Sequence, residues 1–339
     1  MPTDHAMEIP VTLETIRQAA GRIAPYAELT PVLKSRSLDE ASGATVFLKC
    51  ENFQKIGAFK FRGAMNAVLS LDESQKQRGV VTHSSGNHGQ ALARAGQIMG
   101  VPVCVVMPRT APAVKKRATE AFGARVVQCE PTLEARESAV AALIAEGGYE
   151  LVHPFNDWRV IAGQGTAAIE LLEQAGPLDA VITPIGGGGL ASGTSIAVKA
   201  LSPATLVVGA EPERADDAKR SLVSGKIEPS GDPKTMADGL RTSLADKTFA
   251  VIQQHVDEIV SATEEEMLTA MRFVWERFKI IIEPSCSVPV APLLFGKLDH
   301  LRGKRVGVII TGGNVDLAMA TGERDQRCQV APRVLVYRA

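Results

Sequence analysis

From residue 79 onward, short apolar runs and amphipathic stretches alternate strictly. GVVTHSS (79–85), VPVCVVMP (101–108), ARVVQCE (124–130) and YELVHP (149–154) read as strands. GNHGQALARAGQIMG (86–100), APAVKKRATEAFG (111–123) and TLEARESAVAALIAEGG (132–148) read as helices. The second opens on Ala-Pro, and all three close on glycine. Strands separated by a helix and two short connections pair in parallel, because the crossover needs about a dozen residues. The pattern therefore predicts an open parallel sheet covered by helices. Its span, 79–153, is the size of a compact domain.

Longer pieces repeat the theme after residue 153. GQGTAAIELLEQAG (163–176) and LASGTSIAVKAL (190–201) predict helices. LDAVITPI (178–185), ATLVVGAEP (204–212) and KRVGVIITGGN (304–314) predict strands, the last running into a glycine pair. Before residue 79, Leu13, Ile16, Ala20 and Ile23 set a helix over 12–24, and VFLKCENF (46–53) a strand. Residues 221–243 read as loop with short helices. TEEEMLTAMRFVWERFKI (263–280) opens on a capping box, Thr263 to Glu266, and shows one apolar face of Met267, Met271, Val274, Trp275 and Phe278. The tail after Gly322 has no readable pattern. The expected division is a large domain from 1–78 and 154–339 and a small one from 79–153.

A chain of 339 residues with net charge -1 and no basic run points away from nucleic acid and anionic membranes. Its five cysteines are odd in number, and none stands at zinc-ligand spacing. Reduced thiols and a cytoplasmic location are expected. No secretion signal or bilayer-spanning run is visible.

Four loops carry chemistry. In KIGAFKFRG (55–63), Lys60 stands between Phe59 and Phe61. A poorly solvated ammonium loses its proton more readily, and a neutral amine attacks carbonyls. The bland alternative is a lysine snorkelling past apolar neighbours. Gly186, Gly187, Gly188 and Gly189 follow a strand and open a helix, so backbone N–H groups and the helix dipole suit a phosphate. Gly186, Gly188 and Ala191, with Glu211 ending the next strand, equally match the dinucleotide fingerprint. Ser84, Ser85, Gly86, Asn87 and His88 form a carboxylate cradle or an N-cap cluster. Thr311, before Gly312, Gly313 and Asn314, ends a buried strand where a hydroxyl could meet a ring nitrogen or merely close a turn. Glu211, Asp216 and Asp217 in EPERADD suit a hard cation or a solvated helix start.

Taken together, KIGAFKFRG, SSGNHGQA, PIGGGGL and TGGN resemble the fold-type II pyridoxal phosphate enzymes over roughly residues 10–320. HSSGNHGQAL, VIAGQGT, EPERADDA and VWERFKIIIEP are similar to the serine/threonine dehydratase and serine racemase family. The resemblance implies two open, mostly parallel sheets flanked by helices. It implies Lys60 as the Schiff-base lysine, Phe59 packed on the cofactor ring and Asn87 on its hydroxyl. Gly186, Gly187, Gly188, Gly189 and Leu190 would cradle the phosphate, and Thr311 would face the pyridine nitrogen, where the family usually has Ser or Cys. Ser84, Asn87 and His88 would hold the substrate carboxylate, and Ser85 would stand on the face opposite Lys60. Glu211, the Ala215 carbonyl and Asp217 would bind a divalent cation, Mg²⁺, Ca²⁺ or Mn²⁺. A homodimer is expected, and no C-terminal regulatory domain.

The implied reaction removes water from a small L-β-hydroxy amino acid and yields a 2-oxo acid and ammonia. Threonine or serine is the expected substrate and 3-hydroxyaspartate the runner-up. EPSCSVP (283–289) and TGGNVDL (311–317) resemble segments of 3-hydroxyaspartate ammonia-lyases, and Arg136 or Arg241 could bind a second carboxylate. Amino-acid racemisation and dinucleotide-dependent redox chemistry are the other enzymatic readings; a non-catalytic ligand-binding module is a weaker one, disfavoured by the intact Lys60 and both serines, Ser84 and Ser85.

Overall fold

The computed structural model describes residues 7–317, apart from Asp232 and the Val114 side chain. The C-terminal tail and Cys328 lie outside the described residues. Among the described residues ten strands form two sheets: β1 (Val32–Leu33), β2 (Thr45–Cys50), β3 (Val80–His83), β4 (Val103–Pro108), β5 (Arg125–Cys129), β6 (Glu150–Leu151), β7 (Ala180–Pro184), β8 (Leu206–Pro212), β9 (Glu258–Ala262) and β10 (Arg305–Ile310). The larger sheet runs β1-β2-β10-β7-β8-β9 and the smaller β5-β4-β3-β6. All pairs are parallel except β1 with β2.

Successive strand side chains point to opposite faces, and both faces of the larger sheet are buried. Ala180 and Ile182 of β7 join the cluster under the helix Glu264–Phe278. Val181 joins the opposite cluster, with the helices Trp158–Ala175 and Gly189–Leu201. Continuous apolar runs such as VITPI fit this two-sided burial. The capping box at Thr263 and Glu266 forms as expected, and Met267, Met271 and Val274 are buried.

The chain reverses direction once in each sheet. In the smaller, β3 leads outward to β4 and β5 while β6 returns on its other side. In the larger, β7 leads to β8 and β9 while β10 sits on its other flank. Loops after strands that diverge in this way leave a crevice at their C-terminal ends, where open α/β sheets bind ligands. The loops after β3, β6, β7 and β10 are those that carry Ser84, His153, Gly186 and Thr311.

Several elements escaped the sequence reading, among them the helices Arg36–Ser42, Glu73–Arg78 and Asp246–His255 and the edge strands β1 and β9. The helix read as starting at residue 163 begins at Trp158, capped by Asp157. Within residues 221–243 the chain is irregular beyond the end of the helix Asp217–Ser224, as expected. Cys50, Cys104, Cys129 and Cys286 are buried free thiols. No helix among the described residues is long and apolar enough to cross a membrane.

Candidate active site

Lys60 begins the helix Lys60–Leu69. The chain enters through a tight turn in which Ile56 has φ 61°, a left-handed conformation that is strained for a β-branched residue. The loop after β10 holds that turn. Asn314 Nδ2 donates to Ile56 O at 2.8 Å, Gly313 N to Gly57 O at 2.9 Å, and Phe59 N to Thr311 O at 2.9 Å. Lys60 Nζ donates to Pro154 O at 2.8 Å and lies 5.1 Å from the centroid of the Phe59 ring. Burial lowers its pKa to about 8, so a tenth or so of the amine is neutral near pH 7. The lysine is turned inward onto a carbonyl rather than snorkelling outward.

The glycine loop is shaped by its neighbours. Gly188 has φ +85°, and a Cβ on Gly187 would stand 2.3 Å from the Phe155 ring. Gly188 caps the helix Gly189–Leu201, and Leu190 is buried in its first turn. Ser192 N is the first to bond back, onto Gly188 O at 2.8 Å. No preceding N–H from Gly186 onward donates to a backbone carbonyl among the described residues. Free N–H groups at the start of a thirteen-residue helix are an anion site, and the residues present fit a phosphate-bearing cofactor. The dinucleotide alternative fails because Glu211 is buried and its oxygens accept Ala218 N and Lys219 N at 3.0 and 2.8 Å. It cannot turn outward to a ribose.

A stack of rings joins the glycine loop to the Ser84 loop. His83 and His153 meet edge to face at 5.2 Å, and His153 meets Phe155 likewise at 4.6 Å. Burial, then the neighbouring charges of His83 and Lys60, lower His153 to about 4. Its Nδ1 accepts Asn156 N at 2.9 Å, which fixes the neutral Nε2–H tautomer. A cavity of about 240 Å³ opens between these histidines and Glu137 and Val140 of the helix Leu133–Gly147.

The helix Asn87–Met99 starts without a side-chain cap, and Ser84 Oγ accepts Gly86 N at 3.2 Å. Its first-turn N–H groups suit a carboxylate. Half-buried Ser85 lies in the same loop. The His88 ring is buried and held neutral, its Nε2 facing Val152 O at 3.2 Å. What His88 can offer an anion from that position is its backbone N–H. Asn87 is fixed at both ends of its amide. Nδ2 donates to Glu283 Oε1 and Oε2 at 3.0 and 3.2 Å, and Oδ1 accepts Asn314 Nδ2 at 2.9 Å. Burial, then the charge of Asp238, raises Glu283 to about 7. Thr311 is buried at the end of β10, and its Oγ1 lies 3.1 Å from Cys286 Sγ.

Glu211 and Asp217 are each 1 % exposed, which rules out a solvated helix start. Burial raises them to about 8 and about 6, and the Asp217 charge adds to the rise at Glu211. Neither forms an ion pair among the described residues, whereas half-buried Asp216 pairs with Arg220 at 2.8 Å. Two buried carboxylates flanking the turn Glu213–Ala215 are a donor set that fits a hard cation. No three His, Cys, Asp or Glu side chains converge among the described residues, so a backbone carbonyl such as that of Ala215 would have to complete the set.

The two arginines part company. Arg241 donates Nε and Nη2 to Thr235 O at 3.0 and 2.5 Å and so ties down its own loop. Arg136 Nε is buried without a hydrogen-bond partner among the described residues, and the Arg136 charge helps to lower His83, after burial. Sequence reasoning gave no role to Glu283, Asn314, His153 or Phe155. Glu283 and Asn314 lay within segments it had singled out, but nothing local marks a partner 196 residues away.

Residues 23–312 match the family model described as pyridoxal-phosphate dependent enzyme. The chain is 50% identical over 311 residues to a β-hydroxyaspartate dehydratase of Paracoccus denitrificans (strain Pd 1222), covering 92% of this chain and 98% of that one. The crystal structure of serine racemase from Dictyostelium discoideum superposes with a TM-score of 0.88 at 50% identity, over 91% of this chain and 99% of that one. A threonine deaminase from T.th. superposes at 0.85 with 46% identity, over 90% and 99%. With the match running from the first helix to the loop after β10, this chain belongs to the pyridoxal-phosphate dependent enzyme family.

Proposed function

We propose that this protein is an ammonia-lyase that removes water from a small L-β-hydroxy amino acid, with 3-hydroxyaspartate ahead of threonine and serine. This reverses the order expected from sequence, and Arg136 carries the change. A buried guanidinium nitrogen without a hydrogen-bond partner among the described residues, close enough to His83 for its charge to lower that imidazole, suits the second carboxylate of a dicarboxylic substrate. The name of the Paracoccus relative supports the same reading.

Pyridoxal phosphate, when bound, supplies a conjugated ring that makes the α-proton of the amino acid acidic. Lys60, with its lowered pKa, takes that proton. The Ser84 loop and the helix start at Asn87 hold the α-carboxylate, and Arg136 the β-carboxylate. Water leaves across Cα–Cβ, and the released enamine takes water back to give a 2-oxo acid and ammonia. The rings of His83, His153 and Phe155 run edge to face up to the glycine loop, where Phe155 packs against Gly187 and Gly189. The proposal includes residues 79–153 as a small domain, a divalent cation at Glu211, Asp217 and the Ala215 carbonyl, and a homodimer, which sedimentation would test.

The experiment is kcat/KM for L-threonine, L-serine and both L-3-hydroxyaspartate diastereomers. A charged bidentate contact in a dry site contributes about 1.5–3 kcal/mol, or roughly tenfold to a hundredfold. A hydroxyaspartate should win by at least about tenfold, and Arg136→Ala should erase the advantage. A preference for threonine or serine that Arg136→Ala leaves unchanged would return the assignment to them. Racemisation is the second reading, favoured by the relative named a serine racemase. It requires Ser85 as acid–base group opposite Lys60, so Ser85→Ala should abolish D-serine formation more than elimination.

A further inference from the structure

The helix Asp246–His255 starts without a cap of its own. Its N-cap residue is Ala245, which has no side-chain oxygen to accept an N–H of the first turn. The acceptor comes from 91 positions away, where half-buried Asn156 Oδ1 takes Lys247 N at 3.2 Å. Asn156 Nδ2 donates to Asp246 Oδ1 at 2.7 Å, and Lys247 Nζ donates to Asn156 O at 3.4 Å. The residues on either side of this contact wall the glycine loop. A Cβ on Gly187 would stand 2.3 Å from the Phe155 ring, and one on Gly189 3.0 Å from Phe155 Cβ. A Cβ on Gly188 would stand 2.8 Å from Leu244 and 2.9 Å from both Thr248 and Ile252. Residues 153–156 also reach the lysine: Pro154 O accepts Lys60 Nζ at 2.8 Å, and His153 Nδ1 accepts Asn156 N at 2.9 Å.

Four successive glycines cannot hold their own shape, because glycine has the most backbone freedom to lose and no side chain to pack. N–H groups bind an anion well only when their directions are fixed before it arrives. The stiffness of this loop must therefore come from its walls. We propose that Asn156 is a positioning residue that caps the helix Asp246–His255 and clasps it to Phe155, so that the two walls hold the glycine loop with its N–H groups set for the cofactor phosphate. The inference rests on the reading of this site as a pyridoxal phosphate site. Shortening Asn156 uncaps the helix and frees Phe155 from it, and the loop between them gains motion that phosphate binding must then remove.

The test titrates the full chain with pyridoxal phosphate and with pyridoxal, which lacks the phosphate, and follows cofactor absorbance. Asn156→Ala should raise the Kd of pyridoxal phosphate about threefold to tenfold, the equivalent of one neutral hydrogen bond, and that of pyridoxal by less than about twofold. Asn156→Asp sets a carboxylate against Asp246 and should also weaken pyridoxal phosphate. Asn156→Asp/Asp246→Asn reverses donor and acceptor across the same contact and keeps an acceptor for Lys247 N, so it should recover most of the affinity. That pair of variants reads the same contact if Asn156→Ala does not fold. An unchanged Kd for pyridoxal phosphate in Asn156→Ala or Asn156→Asp overturns the proposal. So does an equal loss for the two ligands, which would mean a general loosening of the fold, and so does a double variant no better than Asn156→Asp. A wild type that takes up no pyridoxal phosphate overturns the cofactor reading and this inference together.

Discussion

Replacing Arg62 with methionine should be among the costliest single changes in this protein. Arg62 lies in the helix that Lys60 begins, and its side chain is 0% exposed. Nε and Nη2 donate to Glu51 Oε2 and Oε1 at 2.6 and 2.8 Å, and Nη1 and Nη2 to Glu170 Oε1 and Oε2 at 2.6 and 2.7 Å. Lys49, equally buried, reaches Glu170 Oε2 at 2.6 Å and Thr30 O at 2.7 Å. Two cations and two carboxylates balance. Arg62→Met keeps the bulk of the stem and leaves Glu51, itself 0% exposed, with only the Thr30 hydroxyl at 2.6 Å as a side-chain hydrogen-bond partner among the described residues. Removing one partner of a buried pair costs about 3–5 kcal/mol, a large share of a typical total near 5–15 kcal/mol.

The pH dependence of that cost identifies its origin. Burial opposes ionisation of Glu51, but the Arg62 charge, its hydrogen bonds and Thr30 outweigh burial and hold the carboxyl below the ordinary range. A depressed folded pKa contributes stability that is present above the unfolded value and lost as pH falls through the folded one. Without Arg62, burial prevails and the sign inverts, so the variant gains relative stability on acidification. The gap between wild type and Arg62→Met, measured by urea unfolding with tryptophan fluorescence, should be about 3–5 kcal/mol at pH 7.5 and clearly smaller at pH 5. Adding Glu51→Gln should restore much of the loss, with a coupling energy above about 2 kcal/mol. A gap below about 1 kcal/mol, or one equal at both pH values, would refute the charge argument.

Three further outcomes are expected. Glu283 has a folded pKa near 7, above the unfolded value, so its ionisation costs stability as pH rises from about 4.5 through 7; cofactor-free Glu283→Gln should lose about 3 kcal/mol less than wild type between pH 5 and 8.5 in urea titrations, and parallel pH curves would remove Glu283 from the account. Gly187→Ala drives a methyl into the Phe155 ring, so cofactor affinity, followed by absorbance, should fall about tenfold or more and recover partly in Gly187→Ala/Phe155→Ala; unchanged affinity in the single variant would show that the cradle tolerates a side chain. Chelator should lower the Tm of wild type, since a cation binding only the folded state stabilises by about 2.7 kcal/mol at a hundredfold excess over Kd; an equal response in Glu211→Ala/Asp217→Ala would place any cation elsewhere.

The alternation of apolar runs with amphipathic stretches, punctuated by glycine, was enough to specify parallel sheets covered by helices, because periodicity and turn chemistry are local properties. The glycines at 186–189 and the lysine at 60 were legible for the same reason. Helix Asp246–His255 and β9 were not: β9, Glu-Ile-Val-Ser-Ala, is an edge strand with only Ala262 fully buried, so its pattern is weak. Only the tertiary structure distinguished the two arginines, one bound to the carbonyl of its own loop and the other with its buried Nε lacking a hydrogen-bond partner among the described residues. It also turned EPERADD from a surface-like acidic run into two buried carboxylates, joined Glu283 to Asn87, and set Cys286 against Thr311. Each of these depends on which distant segment packs over a side chain and removes it from water. Burial and long-range hydrogen bonding set the charge and orientation of such groups, and neither leaves a periodic trace in the chain.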